Sequence, residues 1–295
     1  MNRKIRMMLP LVLLVLCMLV APLALSEAAA PGVVQIHQMA SMGCTDSYLV
    51  TDGETVILVD CGLDTDTSYA HNGPLLEYLE ASGIDHVDAH FITHYHNDHC
   101  YNLNLLNELY GTDTTIVYGP SDELPSRFQP LKNGHYEQLV DNQELNVGPF
   151  AIRCIGPAKP VNQGATNYDS LNFYLTYGKR IMLFTGDWVD WKLFDRHPES
   201  ASQIDILSFP HHGLEPFCIQ EYELHAMNPE YVLVPGKRAF QVRGFLKFSS
   251  ANRAQVFDTA DGNIVILTDG DSMALYTQVE PGRFSAFAQV TVEQP

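Results

Sequence analysis

The chain has 295 residues, 46% of them hydrophobic, which is enough to bury a sizeable core in one large domain or two small ones. Its formal net charge of -18 makes long-range attraction to a polyanion weak, so a nucleic-acid substrate would need a local basic lining or metal ions to offset repulsion of its phosphates. Six cysteines are too few for a disulfide-framework domain.

At the N-terminus, Arg3, Lys4 and Arg6 precede an apolar run from Met7 to about Val20, and small residues follow. That layout predicts a secretory signal peptide over residues 1–30, cut near Ala24-Leu25-Ser26 or Ala28-Ala29-Ala30. The expected product is secreted or extracytoplasmic, and its mature form does not span a membrane. Left uncut, the run extended to Leu25 approaches the ~20 residues that cross a bilayer and would serve as an anchor. Leu16 before Cys17 does not suit lipid attachment. Removal of the leader leaves Cys44, Cys61, Cys100, Cys154 and Cys218, either as buried thiols or with one bridge added to an ordinary core.

No composition break or long Gly/Ser linker divides residues 31–295, which read as a single domain. Short apolar runs rich in β-branched residues predict strands at Tyr48–Val50, Thr55–Val59, Val87–Ile92, Thr115–Tyr118, Phe150–Ile155, Leu171–Thr176, Arg180–Phe184, Ile204–Phe209, Tyr231–Val234, Ile264–Leu267 and Met273–Tyr276. Helical spacing predicts Gly73–Ser82, with Leu75, Leu76 and Leu79 on one stripe, and Tyr101–Tyr110, with Leu103, Leu106 and Leu109. A third helix is expected at Pro216–Met227. Strands alternating with a few helices give an α/β layered domain rather than a bundle.

Three of these strands run into residue types that bind metals. Val87–Ile92 leads to Thr93-His94-Tyr95-His96-Asn97-Asp98-His99, Arg180–Phe184 to Thr185-Gly186-Asp187, and Ile204–Phe209 to Pro210-His211-His212-Gly213. In layered α/β folds, loops converge at strand ends while the sheet stays rigid. Residues two apart at the exit of an extended segment point the same way, so His94 and His96 can face one ion. Asp98 and His99 follow within reach of a second.

Imidazole and carboxylate suit Zn²⁺, with Mn²⁺ or Fe as alternatives. A solvated histidine cluster is the bland reading of the first motif, but packing alone seldom concentrates three imidazoles and a carboxylate in six residues. Alone, Asp187 belongs to an ordinary turn; beside the first motif it becomes a carboxylate able to bridge two cations. Two ions ~3.5 to 4 Å apart lower the pKa of a shared water toward neutrality and clamp the oxygens of an ester, amide or phosphoryl group. Cys100 abuts the motif and reads as a small packing residue rather than a nucleophile. The chain carries no Ser-His-Asp elbow, Walker loop or dinucleotide fingerprint.

The string that begins at Thr55 to Gly62 and passes through THYHNDH at 93 to 99, NYDSLNFYLTYGKRIMLFTGD at 167 to 187, ILSFPHHG at 206 to 213 and VILTDGDSMAL at 265 to 275 resembles the metallo-β-lactamase superfamily. Within it, the match is to the exported hydrolase domain of ComEC-type competence proteins. The resemblance implies an αββα sandwich with an active site along one edge. It implies His94 and His96 at the first metal, Asp98 and His99 at the second, Asp187 as the bridge, and His212 as the remaining imidazole. His211 is then either the ligand in its place or a neighbouring proton donor, with Asp98 the other catalytic group. Asp60 either orients the first-motif loop by hydrogen bonding or stabilises its own turn.

The chain departs from many lactamase-like enzymes in one respect. No histidine lies between Cys154 and Asp187, Asn167 being the nearest polar candidate. That gap puts the first metal in doubt and weakens a β-lactamase reading. The expected activity is a phosphodiesterase or nuclease-like hydrolysis by metal-activated water, acting on a small phosphodiester, a nucleic acid or a cell-envelope ester. The alternatives are a phosphorylcholine-esterase-like or other ester hydrolase, and a non-catalytic metal-binding module. No obligate protein partner is expected. Asp122–Tyr136 and Lys237–Ser250 would line the cleft. In the latter, Lys237, Arg238, Arg243 and Lys247 read as a solvated basic loop, with an anion-attracting rim as the alternative.

Overall fold

The computed structural model describes residues 32–39, 45–62, 73–159, 161, 166–190, 192–198, 204–248, 254–280 and 283–285. The signal-peptide segment and Cys44 lie outside the described residues.

Two sheets face each other. The first part of the chain contributes β1 (Val34–Gln38), β2 (Tyr48–Thr51), β3 (Val56–Val59), α1 (Gly73–Ala81), β4 (Val87–Phe91), α2 (Asn97–Cys100), α3 (Leu103–Tyr110), β5 (Gly111–Gly119) and β6 (His135–Gln138). It continues through β7 (Glu144–Val147), β8 (Phe150–Gly156), β9 (Asn172–Tyr177), β10 (Arg180–Phe184), α4 (Leu193–Arg196), β11 (Ile206–Ser208), α5 (Glu221–Met227) and β12 (Tyr231–Val234). It ends with α6 (Ala239–Phe248), β13 (Gln255–Asp258), β14 (Asn263–Thr268), β15 (Met273–Glu280) and β16 (Arg283–Ser285). A nine-stranded sheet runs β16-β15-β14-β1-β2-β3-β4-β5-β6, and a seven-stranded sheet runs β13-β12-β11-β10-β9-β8-β7.

The period-2 alternation of the strands assigns the layers. On β3, Ile57 and Val59 turn toward the other sheet, whereas Val56 and Leu58 turn outward onto Leu75, Tyr78 and Leu79 of α1 and Leu103 and Leu106 of α3. On β12, Tyr231 and Leu233 face inward, whereas Val232 and Val234 pack outward with Leu224 of α5 and Val242 and Leu246 of α6. The result is an αββα sandwich, the layered α/β domain expected from the strand pattern in the arrangement that the resemblance implies. At its centre Phe173 of β9 stacks on Phe91 of β4 (centroids 4.7 Å) and on Phe184 of β10 (5.0 Å), tying one sheet to the other directly beneath the site.

Pairing is parallel through β3-β4-β5-β6 and through β10-β11-β12-β13. The loops after β3, β4, β10, β11 and β12 therefore leave their sheets in register with one another, and those after β4 and β10 meet across the sandwich. The N–H of Leu171 donates to the Thr93 carbonyl at 2.7 Å, joining the two sheets at that edge.

All eleven expected strands are present, Arg180–Phe184 and Tyr231–Val234 with the expected ends and the rest with shifted ones, and the third helix starts later than expected, at Glu221 rather than Pro216. The basic stretch is corrected from a solvated loop to a helix. Val242 and Leu246 of α6 are buried against the seven-stranded sheet, and Arg243 donates to the Val256 carbonyl at 2.6 Å. Cys61, Cys100, Cys154 and Cys218 are buried free thiols. Among the described residues no helix is long and apolar enough to cross a membrane.

Candidate metal centre

Four loops meet at this edge because two of them lack a side chain where they touch. A Cβ on Gly62, after β3, would fall 1.6 Å from the carbonyl oxygen of Asp98. One on Gly186, which has φ +49°, would meet the Thr93 side chain at 2.7 Å. Only glycine permits either approach.

Behind the first motif, Asp60 (φ 55°) holds the loop. Its Oδ1 accepts from the Thr93 N–H at 2.7 Å, and its Oδ2 accepts from the Thr93 hydroxyl at 2.6 Å and from His99 Nδ1 at 2.8 Å. The carboxylate thus orients the motif as well as its own turn. Fixing Nδ1 as the donor leaves His99 Nε2 free to face inward. Arg127, just before Phe128, braces the same loop through the Tyr95 carbonyl and through Asn97 Oδ1 at 3.3 Å.

After β11 the backbone is left-handed at three consecutive residues, His211 (φ 54°), His212 (φ 53°) and Gly213 (φ 71°). Adjacent side chains in extended chain point to opposite faces; this turn lets both imidazoles face Asp187 at a cost of order 1–3 kcal/mol per strained residue. His212 Nε2 lies 3.3 Å from Asp187 Oδ1 and 3.3 Å from Asp98 Oδ2, and its Nδ1 donates to the Pro235 carbonyl at 3.0 Å. His211 Nε2 stands 3.9 Å from Asp187 Oδ2 and 3.1 Å from the Asn167 side-chain amide nitrogen.

The side chains named in the sequence fall into two donor groups that share one carboxylate. Asp98, His99, Asp187 and His212 present ligand atoms within 4.8 Å of one another, and so do His94, His96 and Asp187. The His94 and His96 rings lie 4.6 Å apart, as the two-residue spacing predicts. His211 is in neither group and is partly exposed at their rim. A third cluster, Asp46, Asp60 and His99, is a hydrogen-bonded network rather than a separate cavity, because His99 Nδ1 is already bonded to Asp60.

The inward atoms fit a cation. His94 Nε2, His99 Nε2, His212 Nε2 and Asp187 Oδ1 are buried without a hydrogen-bond partner, although Asp187 oxygens lie 3.6, 3.1 and 3.3 Å from the three nitrogens. Unpaired buried polar atoms are costly, and such a convergence is the arrangement that a metal ion satisfies.

Electrostatics separates the groups. Burial resists charge on His99, but Asp187, Asp60 and Asp46 outweigh it and hold its pKa well above the ordinary value. His212 is raised in the same way against burial by Asp46 and Asp98. Burial, reinforced by His99, lowers His94. Burial would raise Asp98, yet its contact with His212 and the charge of His99 hold it at about 2, so it stays ionised. Asp187 is likewise kept far below the usual carboxylate range by His99, His212 and His94, against its burial. Cys100 donates to the His96 carbonyl at 3.0 Å, and burial pushes its pKa up to about 12, which removes it as a nucleophile. Asp46 is the buried group that the sequence reading missed; it precedes β2 outside any motif and is 2% exposed.

Residues 43–236 match the model of the Metallo-beta-lactamase superfamily. The chain is 26% identical over 176 residues to an Integrator complex subunit 11 homolog of Dictyostelium discoideum, a match that covers 52% of this chain and 23% of that protein. It is 26% identical over 159 residues to the probable metallo-hydrolase YhfI of Bacillus subtilis (strain 168), over 50% of this chain and 58% of that protein. The chain therefore spans less than two thirds of the length of either curated relative. Among solved structures, that of Bacillus subtilis YhfI has a TM-score of 0.53 at 18% identity, covering 77% of this chain and 97% of its own. CmlA, a diiron β-hydroxylase from Streptomyces venezuelae, has a TM-score of 0.52 at 11% identity, covering 76% of this chain and 52% of its own. These structural likenesses show a shared fold.

Proposed function

The chain belongs to the metallo-beta-lactamase superfamily, and from that premise we propose that it is a metal-dependent phosphodiesterase of the ComEC-type branch, exported behind the Arg3-Lys4-Arg6 leader, that acts on small phosphodiesters. The observation that carries the metal-dependent part is the sharing of Asp187 between two donor groups whose inward atoms lack other partners. In this reading His94 and His96 would hold one ion and Asp98, His99 and His212 the other, with Asp187 available to both; Zn²⁺ suits the donor set best. Bound there, two divalent cations supply a water acidified toward neutral pH and positive charge for a phosphoryl oxygen.

The protein's own groups do the rest. Asp98, ionised and partly open to solvent, accepts a hydrogen bond from the attacking water and orients it. His211, at the rim, gives a proton to the departing oxygen from its other ring nitrogen, while its Nε2 accepts from the Asn167 amide at 3.1 Å. The preference for a diester rests on the ComEC-like run from Asn167 to Asp187 and on the missing histidine that sets it apart from lactamases. The preference for a small one rests on the net charge of -18, which repels a long polyanion.

The test is incubation of the Zn²⁺- or Mn²⁺-loaded protein with bis-p-nitrophenyl phosphate, single-stranded DNA, nitrocefin and a phosphorylcholine ester. The expected result is diester cleavage that a chelator abolishes. Hydrolysis confined to the phosphorylcholine ester or nitrocefin would replace the substrate assignment, and turnover of none would favour a metal-binding module.

A further inference from the structure

Asp46 is nearly fully buried, belongs to no motif, and its Oδ1 has no hydrogen-bond partner. Its two oxygens face two different imidazoles. Oδ1 lies 3.5 Å from His212 Nδ1, and Oδ2 lies 3.9 Å from His99 Nδ1. Both rings belong to the same donor group. Each already has a closer partner on Nδ1, the Pro235 carbonyl for His212 and Asp60 for His99. Asp46 therefore adds charge rather than a first hydrogen bond.

A buried carboxylate is costly unless positive charge compensates it. Nothing cationic borders Asp46 among the described ion pairs except these two rings. Among the described residues, the other donor group has no such backing. The ring nitrogens of His94 meet only Asp187 and the Thr93 hydroxyl, the latter at 3.3 Å from Nδ1. Asp46, Asp60, Asp98 and Asp187 are four carboxylates, which match the four positive charges of two divalent cations, and the two that bind through an imidazole both stand behind one ion.

We propose that Asp46 is a positioning residue shared by His99 and His212, which selectively tightens the metal position held by Asp98, His99 and His212 and leaves the one held by His94 and His96 unaffected. The two positions then fill in sequence, the carboxylate-backed one first. This rests on the metal-centre reading above and concerns affinity rather than turnover.

The experiment is Co²⁺ titration of the metal-free full chain, followed by calorimetry and by the visible absorption of the bound ion. The wild type is expected to bind in two steps. Asp46→Asn should weaken the tighter step by about tenfold to a hundredfold, the range for groups that orient metal ligands, while the weaker step is unchanged. His96→Ala should do the opposite and remove the weaker step. Asp46→Glu keeps the charge, so it should restore the tighter step relative to Asp46→Asn, whereas a role in shape alone would leave it impaired. Two wild-type steps that persist unchanged in Asp46→Asn, or equal weakening of both, would overturn the role of Asp46 alone. Absence of any Co²⁺ uptake by the wild type would overturn the metal centre itself.

Discussion

On one side of Asp187, His99 and His212 sit fully within the protein, with Nδ1 atoms turned onto Asp60 and the Pro235 carbonyl and with Asp46 beneath both. On the other side, His94 has a threonine hydroxyl behind it and His96 is half-exposed at the mouth. Imidazole nitrogens serve on both sides, with the Asp98 carboxylate added on the first. The layer behind them differs as well, and a ligand's basicity and orientation are set there as much as by its own identity. A motif of donor residues therefore describes where ions sit but not how unequally they are held.

The largest break in this comparison should come from Asp187→Ala, which removes the carboxylate common to both sides. Elemental analysis should find little bound metal, and diester cleavage should fall below detection; wild-type metal content would contradict the shared role. His212→Ala is expected next, with loss of the carboxylate-backed ion and a drop in kcat/KM beyond the ~10–100-fold typical of outer-layer changes. His96→Ala should spare that ion and leave about one metal per chain, so a protein stripped of both would argue against independent positions. His211→Ala should lower kcat by about 10²–10⁴, the range for a lost general acid, with metal content unchanged. Asn167→Ala should have the smallest effect, a shift of less than about tenfold in kcat, read from steady-state rates, because it acts only through its contact with His211.

The side chains that converge at the edge are legible in the sequence because each follows a strand whose alternation is plain, as in Val87–Ile92 and Arg180–Phe184. Asp46 is not, since burial of a lone acidic residue between Thr45 and Ser47 leaves no periodic trace. Of the strands that went unseen, β6, β7, β13 and β16 lie at sheet edges. On β6 and β7 one face is exposed, and sequences such as His135-Tyr136-Glu137-Gln138 look like loop. β1 was hidden for the opposite reason. It is central, yet it buries His37 and Gln38, and His37 is satisfied by the Tyr78 hydroxyl, 2.6 Å from Nδ1, and by the Gln35 side-chain oxygen, 3.1 Å from Nε2. α6 is hard to read because Arg243 and Lys247 sit beside Val242 and Leu246, the only fully buried long side chains of its stripe among the described residues, which pack it onto the seven-stranded sheet.

The interlocked glycines carry an entropic consequence. With Gly62 pressed on the Asp98 backbone and Gly186 on Thr93, neither loop can slide past its neighbour. The ordering entropy of the edge is therefore spent during folding, before any ion arrives. At these two crossings the backbone is fixed beforehand, so an ion bound there would meet Asp98 and Thr93 segments that need no further ordering.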